Sequence, residues 1–285
     1  MIGRGPHCSL RLADPLVSTD HASLKWASSE WLLRDLGSTN GTWVNGELIA
    51  KGRDCVVGVG TQIAFGSQQL AWHLADAHPP EPMVVPVGGG DPCFIQDGVI
   101  AIPSTQKASA SIFQGSDGVW TLEMGDQVMP IQPGSAFDAL GAAWRFSCPT
   151  QWQATVPLQS VRLLEGSGLQ FEVSSDEESV TLTIDTGREL VHLGESNTFY
   201  LLLTLARLRL QEQEQRPPAE VGWVHREQLI RMLRCDPQLL NVWVCRIRSK
   251  LSSAGFLDYA SIIQRRDGSG RLRIGPVTCL IRRLA

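Results

Sequence analysis

The sequence predicts a multidomain chain: two β-rich segments followed by an α+β segment. Three observations carry this. The 285 residues exceed one typical domain. A run of proline and glycine interrupts the chain over 79–92. Near residue 158 the grammar changes from short strands with tight turns to a mixture of strands and helical periods. With 43% apolar and 19% charged residues, the chain has the composition of packed cores rather than of a disordered polypeptide.

Residues 1–75 read as short strands. Trp43-Val44 and Leu48-Ile49 flank Asn45-Gly46, a two-residue turn that suits a type I′ hairpin. Residues 76–92 read as a linker, because Pro79, Pro80, Pro82, Pro86, Pro92 and Gly88-Gly89-Gly90 disfavour sheet pairing. Residues 93–157 are β-rich again, with strands expected at Val99–Ile102, Ser111–Phe113, Val119–Glu123 and Trp144–Phe146. The series Trp31-x-Leu33, Gly60, Ile63, Gly66, Trp72 has a faint echo in Trp120-x-Leu122, Gly134, Phe137, Gly141, Trp144. The middle segment is thus a candidate degenerate copy of the first.

In 158–285, Leu169–Val173, Val180–Ile184 and Glu189–Leu193 alternate like strands. Helices are expected over Thr198–Gln213 and Arg226–Arg234, and a third begins at Asp236-Pro237. Asp is a favoured N-cap and Pro is pre-set for the first helical position. That helix runs to about Ser253 and stops near Gly255. Ser261–Gln264 and Arg271–Ile274 then flank a Gly-rich turn as a hairpin. The linker and the intervening segment suggest separable modules, with 158–285 folding alone.

No run of 18 apolar residues suggests a membrane helix, and the N-terminus lacks a signal-peptide core. Seven scattered cysteines form no CxxC, so neither disulfides nor a metal site is expected, and the default compartment is the cytoplasm. No catalytic constellation is visible. Gly88-Gly89-Gly90 and Gly268-Ser269-Gly270 lack the lysine and helix of a phosphate-binding loop, so neither an enzyme nor a cofactor is expected. Net charge is −4, but residues 221–285 carry a net of +8. A basic end on an acidic chain points to an anionic partner.

Gly3-Arg4, Val17-Ser18-x-x-His21-Ala22 and Trp31-x-Leu33-x-Asp35-Leu36-Gly37-Ser38-Thr39-Asn40-Gly41-Thr42-x-Val44-Asn45-Gly46 stand in order at family spacing. On these blocks, residues 1–75 resemble a forkhead-associated (FHA) domain. The resemblance implies a β-sandwich whose loops bind a phosphothreonine peptide. Arg4 and Ser18 would hold the phosphate with help from Thr39, Thr19 would line the site, and Asn40 would bond the peptide backbone. These are the residue types that a phosphate dianion requires, a guanidinium with short hydroxyl donors. Thr19-Asp20 stands where the family often has a basic residue, and a carboxylate there repels phosphate, which would weaken binding or tune the pocket to a basic peptide. The middle segment lacks Gly-Arg, Ser-x-x-His and Asn-Gly, so an FHA-like copy there would not bind.

Leu240-Asn241-Val242-Trp243-Val244-Cys245-Arg246-Ile247-Arg248-Ser249-Lys250-Leu251 resembles the recognition helix of the OmpR/PhoB class of response-regulator winged helices. Leu240, Val244, Ile247 and Leu251 form one core stripe, with Asn241, Cys245, Arg246, Ser249 and Lys250 largely off it. The resemblance implies that these five enter the major groove, with Arg265, Arg266 and Arg271 of the hairpin on phosphates. Cys245 replaces a usual arginine. The expected whole is therefore an N-terminal all-β FHA-like sandwich, a β-rich middle domain and a C-terminal α+β winged helix. The leading expectation is a bacterial transcription regulator that reads Ser/Thr-kinase signalling through phosphothreonine and binds double-stranded DNA. The rival is a phosphopeptide-binding adaptor of a larger assembly, such as a secretion system, without DNA contact.

Overall fold

The structure is a computed structural model that describes residues 1–149, 162–177 and 179–283. It divides into two compact units, Met1–Pro80 and Glu81–Ala285. No helix among the described residues is long and apolar enough to cross a membrane.

The first unit contains β1 (Ile2–Gly3), β2 (Leu10–Arg11), β3 (Ala22–Ala27), β4 (Glu30–Asp35), β5 (Thr42–Val44), β6 (Glu47–Leu48), β7 (Asp54–Val57), β8 (Gln62–Phe65) and β9 (Ala71–His73). They form two sheets, β2-β1-β3-β4-β7 and β6-β5-β8-β9. Ile2, Ala22, Leu33 and Val57 from one sheet meet Ile63 and Phe65 from the other in a single core. This is the predicted sandwich. Its β5–β6 hairpin turns on Asn45 and Gly46, with φ of 51° and 83°. Both values lie in the region a type I′ turn demands, which Asn tolerates and Gly adopts freely.

The second unit opens with another sandwich. Its strands are β10 (Met83–Pro86), β11 (Cys93–Phe94), β12 (Val99–Ile102), β13 (Ala110–Gln114), β14 (Trp120–Met124), β15 (Gln127–Pro130), β16 (Ala136–Ala139) and β17 (Ala142–Ser147). The sheets are β11-β10-β17-β16 and β12-β13-β14-β15. The linker expected over 76–92 is corrected here. Met83–Pro86 pairs with both β11 and β17, and Val84 is fully buried in the core. Pro82 stands before the strand and Pro86 at its end, where a missing N–H is tolerated. They bracket an apolar Met-Val-Val run that belongs to the sheet.

The remainder contains β18 (Gly168–Val173), β19 (Val180–Asp185), β20 (Leu190–Glu195), α1 (Phe199–Glu212), β21 (Val224–His225), α2 (Arg226–Leu233), α3 (Pro237–Ser253), β22 (Ile263–Arg266), β23 (Arg271–Ile274) and β24 (Thr278–Arg283). β20-β19-β18-β24 form one sheet and β21-β23-β22 another. At the start of α3 the Asp236 side chain accepts a 2.7 Å bond from the Leu239 N–H, with Pro237 in the first turn.

One core runs through this remainder and into the middle sandwich. It joins α1, α3 and β18–β19 to Val99, Ala101, Ala108 and Phe113. β12 shows how. Side chains alternate along a strand, so Ile100 and Ile102 enter the sandwich core while Val99 and Ala101 enter the helical one. All four are buried. The expectation that 158–285 folds alone therefore does not match the packing, since the second unit shares a core across the proposed cut. The cut itself, at 157/158, lies outside the described residues.

Candidate functional site

The loops of the first unit that carry Arg4, Ser18 and Thr19 are held by backbone bonds. Arg4 N–H donates to Ser18 O at 2.9 Å and Gly5 N–H to Thr19 O at 3.0 Å. This close approach needs glycine: a Cβ on Gly3 would lie 2.3 Å from Thr19 O. The Arg4 Nε–H donates to Val17 O at 3.2 Å, and the residue is exposed. Ser18 Oγ accepts from Thr39 N–H at 3.0 Å and lies 3.5 Å from Thr39 Oγ1. Asn40 Nδ2 donates to Leu16 O at 2.9 Å. Arg4, Thr19, Thr39 and Asn40 are exposed and Ser18 is half-buried. The structure thus ties the loops bearing these five residues together at one edge of the sandwich.

Two buried residues set the loop shapes. Fully buried Asp35 accepts bonds from the Gly37 and Ser38 N–H groups and from the Ser38 and Thr42 hydroxyls, at 2.6–2.8 Å. Burial alone would raise its pKa, but these donors outweigh it and hold the carboxyl below the usual range. His21 accepts from Ser18 N–H at its Nδ1 (3.0 Å) and faces Gly41 O with its Nε2 (3.0 Å). Burial lowers its pKa against the opposing pull of that carbonyl and of Asp35. A neutral ring with its proton on Nε2 satisfies both neighbours. Asp20, expected to repel phosphate, has a partner in His7 Nε2 at 2.5 Å.

The second predicted site is arranged differently from expectation. α3 is buried on two sides. Leu240, Val244, Ile247 and Leu251 fill the core as predicted, but Cys245 and Arg248 are also buried. Their side of the helix lies against β12–β15. Arg248 Nη1 and Nη2 donate to Glu123 Oε2 and Oε1 at 2.8 and 2.9 Å, and Arg265 Nε lies 3.1 Å from Oε2. The Arg248 guanidinium also sits 4.1 Å from the Phe113 ring centroid. Burial would raise the Glu123 pKa, but Arg248 and Arg265 hold it low. Cys245 lies beside Ser111, and burial pushes its thiol up.

Around this charge cluster, Arg265 Nη1 donates to Gly125 O at 2.8 Å and Gln238 Nε2 to Lys107 O at 3.1 Å. Tyr259 OH donates to Gly98 O at 2.7 Å, and burial drives its pKa up to about 12. Asn241 Nδ2 and Ser249 Oγ reach Ser109 O and Gln96 O at 3.5 Å. Of the residues assigned to DNA, Asn241, Cys245, Ser249 and Arg265 therefore face the middle sandwich. The free polar helix face expected at Asn241 and Cys245 is corrected: a second β-sheet covers it. Arg246 is exposed, and Lys250 Nζ lies 5.0 Å from the Phe199 ring centroid. Arg266 stacks over Trp223 at 4.7 Å, and Arg271 Nε donates to His225 Nε2 at 3.0 Å.

Glu123 is the residue that the sequence reading missed. In Trp120-Thr121-Leu122-Glu123-Met124 the alternation sends Trp120, Leu122 and Met124 into the sandwich and Glu123 to the opposite face. The available signal was in β12, whose four consecutive apolar residues mark a strand covered on both sides.

Residues 1–66 match the family model of the FHA domain. The FHA domain-containing protein FhaB of Mycobacterium tuberculosis (strain CDC 1551 / Oshkosh) is 43% identical over 71 residues, which are 25% of this chain and 44% of that protein. FhaB of Mycolicibacterium smegmatis is 49% identical over 45 residues, 16% of this chain and 29% of that protein. The chain thus spans less than half the length of these curated relatives. Among solved structures, a chain from "Structural and functional analysis of phosphothreonine-dependent FHA domain interactions" is 38% identical, covering 23% of this chain and 66% of that one with a TM-score of 0.22. The FhaA FHA domain, crystallised with the intracellular domain of Rv3910, gives 38% identity, 23% and 69% coverage, and a TM-score of 0.22.

Proposed function

We propose that this protein is a bacterial phosphothreonine-binding adaptor: its FHA domain captures a partner marked by a Ser/Thr kinase, and the second unit serves as the attached module. The observation that carries this reading is the convergence of exposed Arg4, Thr39 and Asn40 with half-buried Ser18 on loops fixed by buried His21 and Asp35. The FHA match over residues 1–66 and the FhaB likeness support it. The chemistry is recognition, not catalysis. The guanidinium supplies charge-assisted bonds to the phosphate, and Ser18 and Thr39 supply short hydroxyl donors. The reading entails a cytoplasmic setting, where a kinase can mark the partner.

The experiment is binding of a phosphothreonine peptide library to the full chain. Selected peptides should bind only when phosphorylated, and Arg4→Ala should weaken them by about 1.5–3 kcal/mol, the scale of a lost charged hydrogen bond. A library without any phosphate-dependent binder would overturn the reading.

A second reading, a DNA-binding regulator, has its own support. The order of sheet, three helices and hairpin over 168–283 fits the winged-helix resemblance, and residues 221–285 carry a net of +8. Its difficulty is physical: of the assigned contact residues, Asn241, Ser249 and Arg265 already have partners within the second unit. Titration of the full chain with randomised duplexes tests it.

A further inference from the structure

The buried contact between α3 and β12–β15 has a chemical pattern beyond its area. Arg248, Arg265, Gln238, Asn241, Ser249 and Tyr259 all present donors. The sheet side answers with acceptors: the Glu123 carboxylate and the carbonyl oxygens of Gly125, Lys107, Ser109, Gln96 and Gly98. Bonds also run the other way: Val128 N–H donates to Asp267 Oδ1 at 3.2 Å, the Gln114 backbone N–H approaches the Tyr259 hydroxyl, and the Ser111 hydroxyl approaches Cys245. A DNA duplex offers that same chemical class, with anionic phosphate oxygens flanked by acceptors on base edges. Glu123 stands between two arginines, as a phosphate oxygen would, and its side chain is only 5% exposed.

We propose that the β12–β15 sheet is a built-in cap that satisfies the donors of the α3–hairpin face with DNA-like acceptors, so that the sheet and a duplex compete for one surface. The proposal rests on the second reading, that this face can bind duplex DNA. In the capped state the face is occupied, and the apparent duplex affinity is the intrinsic affinity multiplied by the fraction of molecules in which the face is open. The cap is held by charge at its centre and by apolar contact around it, through Val99, Ala101, Ala108 and Phe113. Removal of the Glu123 charge leaves Arg248 and Arg265 buried without their counter-ion, which favours opening.

The test uses the full chain with two independent lesions on the cap. Glu123→Gln removes the charge while keeping the shape. Gly98→Val is a wedge, since a Cβ at Gly98 would lie 2.7 Å from Ser252 Oγ and 2.8 Å from the Tyr259 hydroxyl. Amide hydrogen exchange across Pro237–Ser253 reports opening, and titration with a randomised duplex pool at low salt reports binding. The expected result is faster exchange in α3 and duplex affinity raised at least about tenfold over wild type. Faster exchange with no gain in duplex binding would overturn the proposal together with the DNA reading. Wild type binding duplex as tightly as the variants would overturn the cap and leave the DNA reading standing. Unchanged exchange and unchanged binding would show that these residues do not hold a cap. If Glu123→Gln does not fold, Gly98→Val is judged by the same criteria. Failure of both to fold would show the contact to be indispensable core, which also overturns a removable cap.

Discussion

His21 and Asp35 are buried behind the loops that carry Ser18 and Thr39, and their protonation links the candidate site to pH. His21 must be neutral to accept the Ser18 N–H, and its pKa is lowered from 6.5 chiefly by burial. The unfolded chain therefore takes up a proton near 6.5 that the folded unit takes up only at lower pH. The resulting stabilisation is complete above 6.5 and is lost as pH falls through the folded value. Asp35 has the same sign further down: its carboxylate stabilises above 3.8 and less as pH falls through its depressed folded value. The expected outcome is a thermal midpoint of the FHA unit that drops between pH above 6.5 and about one unit below it. His21→Gln should flatten that drop. Melting curves at the two pH values, followed in the full chain by phosphopeptide-pocket probes, check this. An equal slope in wild type and variant would remove His21 as the cause.

At the scale of elements, legibility followed the range of the interactions. α3 was readable because its start is local: Asp236 caps the Leu239 N–H three residues on, and the apolar stripe repeats with the helix. The expected effect of Asp236→Ala is a loss of about 1 kcal/mol in the unfolding transition of the second unit, measured by denaturant titration. The β5–β6 hairpin was readable for the same reason, through Asn45-Gly46. β10 was hidden because the surrounding prolines outweighed a three-residue apolar run, although its pairing with β17 lies some sixty residues away in sequence. The fate of the α3 polar face was less accessible still. Whether Asn241, Cys245 and Arg248 meet solvent or protein depends on Glu123, on a strand more than a hundred residues earlier. Helical spacing can say that a face is polar; it cannot say what covers it. The candidate FHA site had the opposite character, because its residues lie within about forty positions and the structure brings their loops together.

At the scale of the molecule, the shared core makes the second unit the object to express and to melt. Residues 81–285 should unfold in one cooperative transition, whereas 158–285 alone would expose the surfaces that Val99, Ala101, Ala108 and Phe113 cover. The shorter fragment should therefore be insoluble or bind a hydrophobic dye, and co-expression with 81–157 should restore it. Solubility and denaturation profiles of the two fragments check this. A shorter fragment as stable as the longer one would mean that the common core contributes little. The charge split has a bearing at this scale too. The +8 end is not simply displayed to solvent: Arg248 and Arg265 share the single carboxylate of Glu123, Arg266 pairs with Glu220 at 3.2 Å, and Arg283 pairs with Glu177. Net charge alone therefore overstates the field available to an anionic partner.

The parallel pairing of β18 with β24, Gly168 beside Thr278 through Val173 beside Arg283, has a consequence for synthesis. At about 5–20 residues per second on the ribosome, β18 and β19 leave the exit tunnel several seconds before β24 has been made. During that interval β18 carries an open hydrogen-bonding edge, the kind of edge that recruits strands from other chains. The meander β18–β20 waits longest for its last neighbour, and this nascent stage is where a slowed or stalled ribosome would leave the protein most prone to aggregate.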